Sequence, residues 1–289
     1  MWRAAGLGAA KSVTLPAGRL RYHEQGSGAA IVFAHGWLAN ANLWRKVVPR
    51  LAERYRCIAP DLPLGAHLEP LSDRFDGTPD GIGVLINDFL DRLGLDQVTL
   101  VGNDSGGAYS QIATAANPRR VTHLILNACE TPYDSFPPAA FAGLQHAAAT
   151  PATLAALLGG LRDRAVRHSP AAFGGLIKHP IEDAASDSYA LPALENEGVR
   201  RDACRVMQPA SQRYVADAGR RLIESFAGAV TFIWPTEDVF FSLDNVRRYA
   251  AELRSARIEL IDDAFAFTPE DQPQRFAELV EAAVAASPL

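Results

Sequence analysis

The stretch Val98-Thr-Leu-Val-Gly-Asn-Asp-Ser-Gly-Gly-Ala108 constrains this chain more than any other. An apolar, strand-like run leads with no linker into a helix start made of small residues, so the backbone must turn sharply at one residue. Such a turn is strained, and it needs small neighbours two positions to either side of its apex. Gly102 and Gly106 bracket Asp104 in that way. A competing frame centres the turn on Ser105, between Asn103 and Gly107, and puts the bulkier Asn at the crowded upstream position. A plainer reading makes Asp104 only a helix N-cap that accepts backbone N–H bonds. The segment lacks the GxGxxG spacing of a dinucleotide loop.

The surrounding pattern extends this strand–turn–helix unit into a layered α/β fold. Strand-like runs at Leu20–Gln25, Ile31–Ala34, Cys57–Pro60, Val98–Val101 and Val121–Leu126 alternate with helical stretches near 42–54, 81–93 and 106–116. Strands separated by helices predict a mostly parallel sheet covered on both faces, and the hairpin-like start predicts an antiparallel edge. From 131 to 214 strand-like runs vanish and Pro132, Pro137, Pro138, Pro151, Pro170, Pro180 and Pro192 punctuate short helical pieces. Alternation then resumes with strands at Val230–Trp234 and Ile258–Ile261 and helices at Leu243–Leu253 and Pro273–Ala285. The expected division is therefore a core of residues 1–130 and 215–289, with a helical cap of residues 131–214 roofing a pocket over the strand ends.

Composition narrows the partners. With 28 basic and 33 acidic residues the net charge is −5, and no dense Lys/Arg run occurs, which argues against nucleic acid or an anionic membrane. Cys57, Cys129 and Cys204 are odd in number and far apart, and the seven histidines show no ligand-pair spacing. No disulfide framework, metal or cofactor is expected. The N-terminal stretch lacks a signal-like apolar run and no window is long and apolar enough to span a bilayer, so a cytoplasmic protein acting on a small hydrophobic molecule is expected.

A second segment, Ile31-Val-Phe-Ala-His-Gly-Trp37, ends a buried strand at a loop whose backbone N–H groups could face a developing oxyanion. Trp37 and Ser105 would supply that pair. His35 reads either as a strut for the loop or as a proton carrier. Together, HGWLANANLWRKVVPRLAERYRCIAPDLP, VGNDSGG and FIWPTEDVFFSLDNVRRYA resemble the α/β-hydrolase superfamily, and in particular its Asp-nucleophile branch of haloalkane dehalogenases and epoxide hydrolases. The resemblance covers nearly the whole chain apart from the cap. It implies an eight-stranded α/β-hydrolase fold, Asp104 as nucleophile, the Trp37 and Ser105 backbones as oxyanion hole and Asp238 as triad acid. Glu130 stands where some relatives carry that acid instead.

The chain departs from the branch at the base. The family's histidine would fall at Ala266, and no histidine follows His179. An alkyl ester formed on Asp104 would then lack the water-activating group that normally breaks it. A substitute base could come from His67, His146 or His35; alternatively the pocket performs an elimination, rearrangement, cyclisation or internal epoxide opening with Asp104 as acid or base; or the site only binds. Ser105 also occupies the place where dehalogenases resembling this chain hold halide with a Trp. Epoxide hydrolases protonate the opening oxygen with cap tyrosines, for which Tyr133, Tyr189 and Tyr214 are candidates. Asp262-Asp263 reads as a solvated loop.

Overall fold

A computed structural model describes residues 2–286. Met1 and residues 287–289, the outer ends of the expected core, lie outside the described residues. Eight strands form one sheet: β1 (Ala9–Leu15), β2 (Gly18–Gln25), β3 (Ala30–Ala34), β4 (Arg56–Pro60), β5 (Val98–Asn103), β6 (Val121–Asn127), β7 (Ala229–Pro235) and β8 (Ala256–Ile261). Their spatial order is β1-β2-β4-β3-β5-β6-β7-β8. β1 and β2 form an antiparallel hairpin, β2 pairs antiparallel with β4, and every later pairing is parallel. The central strands β3 and β5 are buried along their whole length, because helices cover both faces of a parallel sheet and leave no polar alternation. β1, at the edge, is mostly exposed.

The helices flanking the sheet are α1 (Pro79–Arg92), capped by the Thr78 side chain, and α2 (Ser105–Ala116), with ten of its twelve residues buried. The single helix expected over 42–54 is instead a 3-10 turn at Ala41–Trp44 followed by one helical turn at Val48–Leu51. Pro49 has no N–H to continue a helix through this stretch, and it serves as the start of the second turn.

No strand lies between Asn127 and Ala229. This insertion holds α3 (Pro151–Leu158), α4 (Asp183–Glu195), α5 (Glu197–Met207) and α6 (Gln212–Ser225), with shorter turns between them. Helix α6 runs through the expected boundary at 214/215 and packs on α2, so it lies with the layer that flanks the sheet. The remaining longer helices are α7 (Leu243–Glu252) and α8 (Pro273–Ala285), preceded by one helical turn at Thr268–Asp271. None of the described helices is long and apolar enough to cross a membrane.

Two elements pin the cap to the core. From α4, the Tyr189 hydroxyl donates to Glu270 at 2.7 Å, and the Asn40 amide donates to the Ser188 carbonyl at 2.8 Å. From α5, Asp202 accepts the Leu71 N–H at 2.7 Å and lies 3.2 Å from His67.

A buried chain of amides ties the strand ends beneath the cap. Asn103 donates to Asn127 Oδ1 and to the Ala266 carbonyl, each at 2.8 Å, and Asn127 donates to the Ile233 carbonyl at 2.7 Å. Four segments, β5, β6, β7 and the loop after β8, thereby share one network. Asn127→Leu would leave several buried polar groups unpaired at once, and is expected to destabilise the fold by about 2–4 kcal/mol. Urea denaturation measures this; a loss below about 0.5 kcal/mol would show that the network is dispensable.

Candidate active site

Asp104 stands between β5 and α2 with φ 52° and ψ −142°, a left-handed conformation that a side-chain-bearing residue holds only when its surroundings enforce it. The enforcement is close packing. A Cβ on Gly106 would lie 2.4 Å from the Ala34 and His35 carbonyl oxygens, and one on Gly102 would lie 2.6 Å from the Gly107 Cα. A Cβ on Gly36 would lie 2.0 Å from Asp104 Oδ2, so the carboxylate packs directly on the β3 loop. The Asp104 N–H donates to the Ala128 carbonyl at 3.0 Å, and its carbonyl accepts from Gly107 at 2.7 Å.

Above Asp104 lies a cavity of about 460 Å³ whose wall is supplied mainly by the cap and is mostly aliphatic and aromatic. Asp104, Ser105, Tyr109, Glu130 and Ser169 are the lining side chains that carry oxygen. Trp37 lines it as well, and its indole N–H donates to the Ala203 carbonyl at 3.3 Å, anchoring the ring to α5. The Trp37 backbone N–H donates to the Ser105 hydroxyl at 2.9 Å.

Burial raises the Asp104 pKa to about 7; the facing N–H groups of Ser105 and Trp37 oppose that rise, and Asp238 adds to it. Glu130, just past β6 and 1% exposed, is pushed well above the carboxylate range by burial and then by Asp104. Its Oε2 has no hydrogen-bond partner. Asp238, raised by burial to about 6 against backbone N–H groups led by Phe240, accepts the Phe240 N–H at 2.9 Å but does not line the cavity. Asp104 therefore lies within electrostatic reach of both Glu130 and Asp238, with no lysine, arginine or histidine among the described residues of the cavity wall.

His35 is fully buried off that wall. It accepts the Leu62 N–H at Nε2, 2.9 Å away, so Nδ1 carries the proton and donates to the Gly36 carbonyl at 2.9 Å. With both nitrogens engaged and burial lowering its pKa to about 4, it braces the loop and is not positioned to move protons in the cavity. His67 pairs with Asp202, and His146 is exposed on a short cap helix, so neither reaches the cavity. Ala266 is buried, its carbonyl held by Asn103.

The cap tyrosines also point elsewhere. Tyr133 packs under Arg248 and its hydroxyl donates to Glu252 at 2.5 Å near the surface, so the expected pocket residue is not one. Tyr189 is spent on Glu270, and Tyr214 accepts from Arg213. The tyrosine on the cavity wall is Tyr109, which the sequence reading passed over although it lies four residues, one helical turn, beyond Ser105 on the same helix face. Among the described residues no three His, Cys, Asp or Glu side chains gather closely enough to hold a metal ion.

A strained Asp at a strand-to-helix turn, two loop N–H groups beside it and a cap over a parallel sheet define a class. A model of the alpha/beta hydrolase fold family matches residues 29–273, and the chain belongs to that family. Haloalkane dehalogenase 2 of Mycobacterium tuberculosis (strain ATCC 25618 / H37Rv) is 34% identical over 109 residues, 38% of each chain. Soluble epoxide hydrolase of Corynebacterium sp. (strain C12) is 37% identical over 91 residues, 31% of each. The alignments thus span well under half the length of these curated relatives. Among solved structures, the epoxide hydrolase CorEH superposes with a TM-score of 0.77 at 19% identity, covering 96% of this chain and 98% of that one. An alpha/beta hydrolase fold protein from Burkholderia ambifaria gives 0.78 at 22%, covering 93% and 96%. At such identities the likeness is one of fold.

Asp104 also has a readable pH signature. Its folded pKa, near 7, exceeds the ordinary value of 3.8, so the stability tied to its neutral form is full below about pH 4 and is lost as pH rises through about 7. Asp104→Asn is neutral throughout. It is expected to be more stable than the parent by about 2–4 kcal/mol at pH 8 and nearly equal to it at pH 4. Denaturant titrations at the two pH values test this, and a gap that does not widen with pH would refute the burial-raised carboxyl.

Proposed function

We propose that this chain is an enzyme for a small hydrophobic substrate reacting at a C–O centre, and that it works by carboxyl acid–base chemistry without a histidine-activated water. The carrying observation is that no histidine lines the cavity, whereas two protonatable carboxyls, Asp104 and Glu130, do. An ester on Asp104 would have no base to release it, so a reaction that turns over must bypass that ester.

Opening of an epoxide by the substrate's own hydroxyl fits these groups. The Asp104 carboxylate takes the hydroxyl proton, the freed oxygen attacks an epoxide carbon, the C–O bond breaks, and the Glu130 carboxyl protonates the leaving oxygen. Each carboxyl ends in the other's starting state, and proton exchange between them resets the site. A pKa near 7 for Asp104 suits this exchange at neutral pH.

A second reading keeps hydrolysis at a C–O centre with Asp104 as nucleophile. The Trp37 and Ser105 N–H groups facing its carboxylate favour it, as does the likeness to relatives named haloalkane dehalogenase and epoxide hydrolase. Halide release is disfavoured, because Ser105 offers no indole and the Trp37 indole N–H is already bonded to Ala203. A binding role without turnover is the remaining reading, and any turnover excludes it.

A panel of γ,δ-epoxy alcohols in ¹⁸O-labelled water separates these readings. Cyclic ether without label, abolished by Asp104→Asn and slowed about 100-fold by Glu130→Gln, is the expected outcome. Labelled diol would establish hydrolysis instead. A stable mass adduct mapping to Asp104 would show a nucleophile stranded at its ester.

A further inference from the structure

Two deeply buried groups on the cavity wall have unused hydrogen-bonding capacity. Glu130 Oε2 is unpartnered, and the Tyr109 hydroxyl bonds to none of the described residues. Tyr109 is 2% exposed and fixed in place, its ring edge-on to Phe136 with centroids 5.6 Å apart. Both groups face a space that no cationic side chain enters.

We infer that the cavity selects an uncharged, largely apolar molecule bearing one hydrogen-bond-accepting oxygen, that the Tyr109 hydroxyl donates to that oxygen, and that the carboxylate analogue of the same skeleton is turned away. The inference rests on the cavity being the substrate site and names the class of substrate it takes. An anion would bury its charge beside Asp104 and Glu130 with no cation to pair with it. A neutral oxygen meets no such penalty. The phenol stays protonated, since burial and the neighbouring Glu130 and Asp104 raise its pKa, and is therefore a donor. The volume of about 460 Å³ lies within the range of about 300–1,000 Å³ usual for small-molecule sites.

Calorimetric titration of the full chain at pH 7.5 tests this with three probes of one skeleton: phenylacetamide, phenylacetate and ethylbenzene. Phenylacetamide should bind at least about tenfold more tightly than phenylacetate. Tyr109→Phe should weaken phenylacetamide about five- to tenfold and leave ethylbenzene unchanged, the latter also reporting an intact cavity. Phenylacetate binding as tightly as the amide overturns the proposal, as does an equal loss of both neutral probes in Tyr109→Phe or binding of none of the three. Because binding alone is read, labelled diol from the epoxy alcohols would refute the ring-opening chemistry without touching this result, and the converse holds.

Discussion

The Asp104 carboxylate packs directly on the backbone of the β3 loop, and much of the site follows from that approach. With Oδ2 packed where a Gly36 Cβ would be, the carboxyl cannot swing away, and the N–H groups of Trp37 and Ser105 are held against it. The left-handed backbone at Asp104 costs about 1–3 kcal/mol, tolerated because Gly102, Gly106 and Gly107 let β3, β5 and α2 close around it. His35 belongs to this device: one nitrogen holds the Gly36 carbonyl and the other receives Leu62, so the imidazole fixes the loop against which the carboxylate rests.

Electrostatics then decide what such a carboxylate can do. In a cavity whose ionisable side chains are all acids, ionising one makes ionising the next harder, and burial magnifies the effect. The result is two neighbouring carboxyls, each of which raises the pKa of the other. The tyrosine beside them is a third proton holder whose affinity is raised by the same surroundings.

Local sequence rules revealed the sheet well, because β5 and β3 are buried on both faces and read as unbroken apolar runs, and because Gly102 and Gly106 have no other use than to admit a turn. The register of Asp104 followed from the same glycines. The helix expected at 42–54 failed where Pro49 outweighed apolar spacing. The cap was legible as an insertion but its contents were not: Tyr133 sits in the right stretch of chain yet turns outward to Glu252 and Arg248, a choice set by tertiary contacts with no local signature. Tyr109 was discoverable from the one-turn offset to Ser105, a helical periodicity that becomes informative only once the elbow is placed. Which of seven histidines could reach the cavity depended on long-range packing, and the answer was none.

The cap is fastened unevenly. Helices α4 and α5 are tied to the core by buried bonds from Tyr189, Ser188 and Asp202, whereas α3 carries a half-exposed Leu157 on the cavity wall and is followed by Gly159, around whose backbone there is open space. Traffic therefore has a preferred side. A ligand that leaves past α3 disturbs only apolar contacts and a flexible glycine pair, while one leaving past α4 would have to break several buried hydrogen bonds together. The cavity wall thus has one edge tied to the core by buried hydrogen bonds and another, at α3, from which no side-chain hydrogen bond reaches the core among the described residues.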